Sequence, residues 1–364
     1  MSLSRIRPLA LAFLAGIAPP LTAPRADPYL ADFDYPFPVE RLDLRSQGQD
    51  LWMSYMDVAP RGAANGRTVV LLHGKNFCGA TWESTAHALS AAGYRIIVPD
   101  QVGFCRSAKP RAYQFSLHQL AANTRALLGK LGVENPIVIG HSMGGMLAIR
   151  YALTYPGETG ALVVVNPIGL EDWKAKAVTL PTVDELYARE LKTTRESIKK
   201  YQQSVYYDGK WKPEYGRWVD MLASMYAGKD GDLVAWNQAL TSDMVLSQPV
   251  IYEIDRIAVP ALLFIGLKDT TAIGRGPRLA GGCQEARQLS RACSGRRGAH
   301  QRVKARHVPG AGAFAAGGRP AALQRGADPV AGRACASTAL RLIPAGSPSP
   351  ARRAPPNPTG SPAA

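Results

Sequence analysis

Between Thr68 and Val165 the chain repeats a pattern that few architectures accommodate: short apolar runs without polar alternation, separated by helical stretches. Thr68-Val69-Val70-Leu71-Leu72 leads to a helical segment over 80–92 that stops at Gly93. Tyr94–Pro99 leads to another over 117–131, ending at Gly132. Pro136-Ile137-Val138-Ile139 leads to Met143–Tyr155, and Ala161–Val165 follows. A strand with no polar face is buried on both sides, and strands joined by helices run parallel. The pattern predicts an α/β architecture, a mostly parallel sheet with helices on both faces. Ahead of it, Val39–Leu44 and Leu51–Val58 alternate apolar and polar residues around Gln47-Gly48-Gln49, which predicts an antiparallel pair.

The rhythm breaks after residue 168. Up to about residue 250 there is no comparable strand but there are helical stretches, such as Val183–Tyr201 and Arg217–Tyr226. Val259-Pro260-Ala261-Leu262-Leu263-Phe264-Ile265 then restores the strand pattern. An inserted helical cap over 168–250 fits this order. Its aromatics (Trp173, Tyr187, Tyr206, Tyr207, Trp211 and Trp218 among them) serve either cap packing or an apolar substrate pocket.

Both ends differ from this middle. Arg5 and Arg7 precede an apolar stretch, Leu9 to Ala18, which Pro19 and Pro20 terminate before small residues lead to Ala26. That is the layout of a secretory signal peptide over 1–26, cut after Ala23 or Ala26, and it implies a periplasmic or extracellular destination. The folded part is expected to start at Tyr35-Pro36-Phe37-Pro38. No apolar run reaches the roughly 18 residues of a membrane-spanning helix.

The net charge of +15 over 364 residues suggests a nucleic-acid binder until it is divided along the chain. Residues 275–364 hold 15 Lys+Arg against Glu285 and Asp328, whereas the rest carries 28 basic and 26 acidic side chains. The basicity therefore belongs to the tail, and the remainder has no polyanion-binding character. Of the 90 tail residues, 45 are Ala, Gly or Pro, with no sustained periodicity of 2 or 3.6. It reads as a disordered basic tail, as a folded segment of unfamiliar pattern, or as a coding sequence translated out of frame; the last is favoured. Shifted by one base, codons for Val308 to Gly317 permit the string F-P-E-L-G-H-S-P-Q.

Chemistry enters at Gly140-His141-Ser142-Met143-Gly144, a G-x-S-x-G between a predicted strand and a predicted helix. A sharp strand-to-helix turn needs small residues two before and two after its centre. It exposes the serine hydroxyl at the carboxyl end of the sheet and the positive end of the helix. Leu71-Leu72-His73-Gly74-Lys75-Asn76-Phe77 opens at the same sheet edge, where its backbone N–H groups and that of Met143 can face a developing oxyanion. His73 is expected to shape this loop. Asp269, in Ile265-Gly266-Leu267-Lys268-Asp269-Thr270, follows another strand end, where an acid can orient a histidine.

With Asp100-Gln101-Val102-Gly103-Phe104-Cys105-Arg106-Ser107 added, these motifs make residues 38–272 resemble an α/β-hydrolase-fold serine hydrolase. The resemblance implies Ser142 as nucleophile, Asp269 as the acid, and oxyanion N–H groups from Met143 with Lys75 or Asn76. It also implies hydrolysis of an ester, amide or related acyl bond of a small-molecule, apolar substrate, without a cofactor. Relatives that open epoxides or remove halide have an aspartate where this chain has Ser142. The corresponding domains are 38–167 and 251–274 for the core, 168–250 for the cap and 275–364 for the tail.

The resemblance also implies a histidine after the last strand, and here the chain departs from it. Beyond Asp269 it offers His300 and His307, and neither follows a recognisable strand. The base stays unassigned, which leaves open an inactive hydrolase-like protein that binds ligands through its cap. Cys78 and Cys105 lie in neighbouring loops of an exported chain and suggest a disulfide, with two free thiols as the alternative. Neither sits in a metal-ligand pattern, and no phosphate-binding glycine loop is present. Cys283, Cys293 and Cys335 fall in the tail.

Overall fold

The computed structural model describes residues 26–266 and 303–308. The alternating segments form an antiparallel pair, β1 (Val39–Ser46) and β2 (Gln49–Val58). The unbroken apolar runs become β3 (Thr68–Leu72), β4 (Arg95–Pro99), β5 (Ile137–His141), β6 (Ala161–Val165) and β7 (Ala261–Gly266). With β8 (Val303–Val308) they make one eight-stranded sheet in the order β1-β2-β4-β3-β5-β6-β7-β8. The pairings from β4 onward are parallel.

Burial follows the period of two that a pleated strand imposes. Val70, Leu72, Ile97, Val138 and Leu162 face one apolar layer with α2 (Leu117–Lys130) and α3 (Met143–Thr154). Val69, Leu71, Ile96, Val98, Ile137 and Ile139 face the other, with Ala86 and Leu89 of α1 (Glu83–Ala91). In register, Leu72 pairs with Gly140, His141 with Val165, and Val165 with Phe264. The carboxyl ends of β3, β5, β6 and β7 therefore line up along one edge, where ligands bind in open α/β sheets.

The cap holds α4 (Val183–Glu190), α5 (Arg195–Val205), α6 (Gly216–Tyr226) and α7 (Gly231–Ser247). The stretch Val183–Tyr201, expected to be one helix, is two, because Thr194 and Ser197 form a capping box that starts a new helix. α7 escaped the sequence reading. It is buried around much of its circumference, with Asn237, Gln238 and Thr241 inside, so it carries no apolar stripe to count. The cap begins and ends at one point, since Val250 N–H donates to the Gly169 carbonyl at 2.9 Å.

Two expectations need correction. Packed structure starts before Tyr35: Leu30 is 1% exposed, and the Arg106 guanidinium donates to the carbonyls of Leu30, Ala31 and Phe33 at 2.9–3.0 Å. Asp27 N–H reaches the Ser224 carbonyl of α6, so residues 27–33 strap the cap to the core. The tail, expected to be irregular, contributes β8, parallel to β7 with Gly266 opposite Val308. An edge strand is specified by backbone hydrogen bonds as well as by side chains, so an atypical composition does not forbid one. His307 thus lies inside a strand; Asp269, His300, residues 1–25 of the expected signal peptide and the three tail cysteines lie outside the described residues.

Candidate active site

The turn from β5 into α3 is governed by close backbone approach. A Cβ at Gly140 would lie 2.0 Å from the Gly144 carbonyl oxygen, and one at Gly144 would lie 2.2 Å from that of Leu72. No side chain fits at either place. Between them Ser142 adopts φ 56°, ψ −119°, a region that costs a non-glycine residue about 1–3 kcal/mol. It is held there by Ser142 N–H donating to the Val165 carbonyl and by Gly145 N–H donating to the Ser142 carbonyl at 2.9 Å. Ser142 is half-buried and stands at the N-terminus of α3. There the first N–H groups, Met143's included, have no partner within the helix.

The loop after β3 is seated on this turn. A Cβ at Gly74 would lie 3.2 Å from Ser142 Cβ, so the two backbones nearly touch. Phe77 N–H closes a turn on the Gly74 carbonyl at 3.1 Å, which leaves Lys75 and Asn76 as its two central residues, beside Ser142. His73 braces the loop from below. Its Nε2 accepts the Gln101 N–H at 3.0 Å, which assigns the proton to Nδ1, which donates to the Gly74 carbonyl at 2.9 Å. Burial lowers its pKa against the opposing pull of Asp100. A neutral imidazole with both nitrogens engaged has no capacity for proton transfer.

The loop after β4 fixes the same segment twice more, and Asp100 also braces its own loop and Tyr35. Cys78 and Cys105 are joined in a disulfide. Asp100 Oδ1 accepts Gly79 N–H at 2.7 Å, and its Oδ2 accepts the Tyr35 hydroxyl at 2.7 Å and Arg106 N–H at 3.2 Å. Among the described residues Cys78, Asp100 and Cys105 form the group with metal-ligand spacing, but the disulfide occupies both sulfurs. His141, beside Ser142, is buried near the rings of Phe77 and Tyr206, and burial pushes its pKa down to about 4.

Three contacts at this edge were not anticipated from the sequence. Lys75 Nζ donates to Glu190 Oε1 of α4 at 2.7 Å, and Glu190 Oε2 accepts the Tyr226 hydroxyl of α6 at 2.7 Å. Asn166 Oδ1 accepts Gly266 N–H at 2.7 Å and so ties the end of β6 to the end of β7, three residues before Asp269. A carboxylate in a helix and an asparagine after a strand carry no local signature. Only their long sequence separation from Lys75 and Gly266, closed by the fold, reveals them.

The sequence profile of a family described as alpha/beta hydrolase fold matches residues 67–273. The chain belongs to that family. A solved structure of a probable hydrolytic enzyme from Pseudomonas aeruginosa is similar at 53% identity and TM-score 0.75, covering 80% of this chain and 93% of that one. The cis-3-alkyl-4-alkyloxetan-2-one decarboxylase of Xanthomonas campestris is 34% identical over 140 residues, 36% of this chain and 44% of that protein. The 2-hydroxy-6-oxo-6-phenylhexa-2,4-dienoate hydrolase of Burkholderia cepacia is 35% identical over 114 residues, 30% of this chain and 39% of that protein. The chain thus spans less than half the length of these two curated relatives. Among its described residues, no helix of this α/β hydrolase is long and apolar enough to cross a membrane.

Proposed function

We propose that the protein is an exported serine hydrolase that cleaves an ester, amide or related acyl bond of a small apolar molecule. The observation that carries this is the strained Ser142 at the head of α3, with the Gly74–Phe77 turn packed against it. In the proposed reaction Ser142 Oγ attacks the acyl carbon and gives its proton to a histidine base oriented by Asp269. The carbonyl electrons move onto oxygen, where the N–H groups of Met143 and of Lys75 or Asn76 receive them. Each such donor contributes about 3–4 kcal/mol to the transition state. The tetrahedral species collapses, the leaving group takes the proton from the histidine, and water repeats the sequence to release the acid. Similarity to a probable hydrolytic enzyme and to a named hydrolase supports this reading.

The base is supplied, on this proposal, by the frame that residues beyond about Arg275 have lost. In the shifted string F-P-E-L-G-H-S-P-Q a Gly-His follows F-P-E-L, the order expected of a base placed after a closing strand. The codons downstream of residue 272 test it: an uninterrupted frame in the gene refutes it. Without a base the chain retains only about 10³–10⁴-fold catalysis over water. That supports a second reading, a ligand-binding protein of hydrolase fold without turnover.

A fluorophosphonate probe separates the two. Covalent labelling abolished by Ser142→Ala is expected for the hydrolase, and labelling that persists in Ser142→Ala overturns it. Export is tested by N-terminal sequencing of protein from the periplasm or medium. The expected mature terminus follows Ala23 or Ala26, and an intact Met1 terminus in the cytoplasm overturns it.

A further inference from the structure

The turn beside Ser142 is gripped from outside the core. Lys75, one of its two central residues, extends its ammonium to Glu190 at the last position of α4, and both side chains are only 17% exposed. Glu190 is in turn held by the hydroxyl of Tyr226, the last residue of α6, which also hydrogen-bonds Thr193 in the α4–α5 connection. Burial, with the Glu190 carboxylate beside it, keeps the Tyr226 phenol protonated well above its ordinary range. One cap carboxylate, fixed by two cap elements, thus holds the side chain of a residue whose main chain lies against the β5–α3 turn at Ser142.

Among the described residues Arg111–Asp232 and Arg217–Glu83 also join core to cap, but with side chains 30–66% exposed, so it is shelter that distinguishes Lys75–Glu190. Arg41–Asp43 and Arg45–Asp50 lie on the exposed surface of β1 and β2, where such pairs contribute little. Lys75–Glu190 is sheltered, joins residues 115 apart in sequence, and spans cap and core. The backbone step from Lys75 to Gly74 leads to an α-carbon whose missing Cβ would lie 3.2 Å from Ser142 Cβ. A shift of the Lys75 side chain is therefore passed to the turn that carries the oxyanion N–H groups.

We infer that Glu190 is a positioning residue, which couples the seating of the cap to the aim of the Lys75 and Asn76 N–H groups at the oxyanion. This rests on the assignment of Ser142 as nucleophile. With the cap seated, Glu190 draws Lys75 outward and sets the turn; with the pair broken, the turn relaxes and the donors miss the oxygen. Misplacement of a positioned group by about 1 Å lowers rate by about 100-fold, so a relaxed turn loses speed more than substrate affinity.

The test uses the full chain with Glu190→Gln, Lys75→Met, the double variant, and the reversed pair Lys75→Glu with Glu190→Lys. Three quantities are read: the fluorophosphonate labelling rate against probe concentration, amide hydrogen exchange over residues 74–77, and the melting temperature. Expected is a maximal labelling rate about 5- to 50-fold lower in each single variant, with the half-saturating probe concentration unchanged. Exchange over 74–77 should be faster, the double variant no worse than either single, and the reversed pair partly restored. Single variants labelling within twofold of wild type, or losses that multiply in the double variant, overturn the coupling. Should the chain label too slowly to resolve a rate, unchanged exchange over 74–77 in Glu190→Gln overturns it by itself. Labelling that persists in Ser142→Ala instead defeats the nucleophile assignment and is recognisable as that separate failure.

Discussion

Ser142 keeps a backbone conformation that β5 and α3 impose, and its neighbours show how little slack there is. Gly140→Ala sets a methyl 2.0 Å from a backbone oxygen that no side-chain movement can clear. It is expected to destabilise the protein by about 3 kcal/mol or more, read as a lower urea midpoint. Ser142→Ala, by contrast, should leave the urea midpoint near wild type or raise it, while removing all probe labelling. The same spot carries a pH dependence. The His141 pKa falls to about 4 in the folded protein against about 6.5 unfolded, so the unfolded state binds more protons between these values. Stability from this group is complete above about pH 6.5 and is lost as pH falls toward 4, by about 2 kcal/mol between pH 7 and pH 5. His73, also lowered by burial, adds a loss of the same sign. Urea denaturation at the two pH values checks this, and His141→Gln should flatten most of the slope.

At the scale of elements, the loops after β3 and β4 behave as one unit. The Gln101–His73 and Asp100–Gly79 hydrogen bonds and the Cys78–Cys105 bridge all cross between them. The bridge closes a loop of 27 residues and in the chain-entropy model stabilises by about 3–4 kcal/mol. Replacing both cysteines by alanine should lower the denaturation free energy by that amount, measured without reductant. Mass spectrometry of non-reduced peptides should find Cys78 linked to Cys105; alkylation of both without prior reduction contradicts it. The strap over residues 27–33 belongs to this scale as well. Arg106 holds it through three carbonyls, so Arg106→Ala should release the strap, and hydrogen exchange over 27–37 should rise before any change in the sheet.

Over the whole molecule, the proposed shift of frame predicts a single corrective change. Restoring the downstream frame should raise esterase activity on short acyl esters by about 10³-fold or more, because it returns a base to a site otherwise left with its oxyanion donors alone. It should also raise the soluble yield, since an in-frame segment can supply the large apolar side chains that a tail with 45 Ala, Gly or Pro among its 90 residues is short of. Activity unchanged after the correction contradicts the proposal. Steady-state assays of the two chains, side by side, make the measurement.

Local signals were legible because their causes are local. The apolar runs of β3 to β7 and the glycines flanking Ser142 are set by neighbours within a few residues. So the sheet, the turn at Ser142 and the family resemblance were all readable from the chain. What the tertiary structure decided lies at long separation. It brought Glu190 and Tyr226 to Lys75, Asn166 to Gly266, and Leu30 under the Arg106 clamp, and it buried α7 so evenly that no stripe marked it. A charged or amide side chain looks the same in sequence whether solvated or buried against a partner. Which it becomes depends on the path of the chain between them, and that is fixed only when the cap folds down onto the sheet.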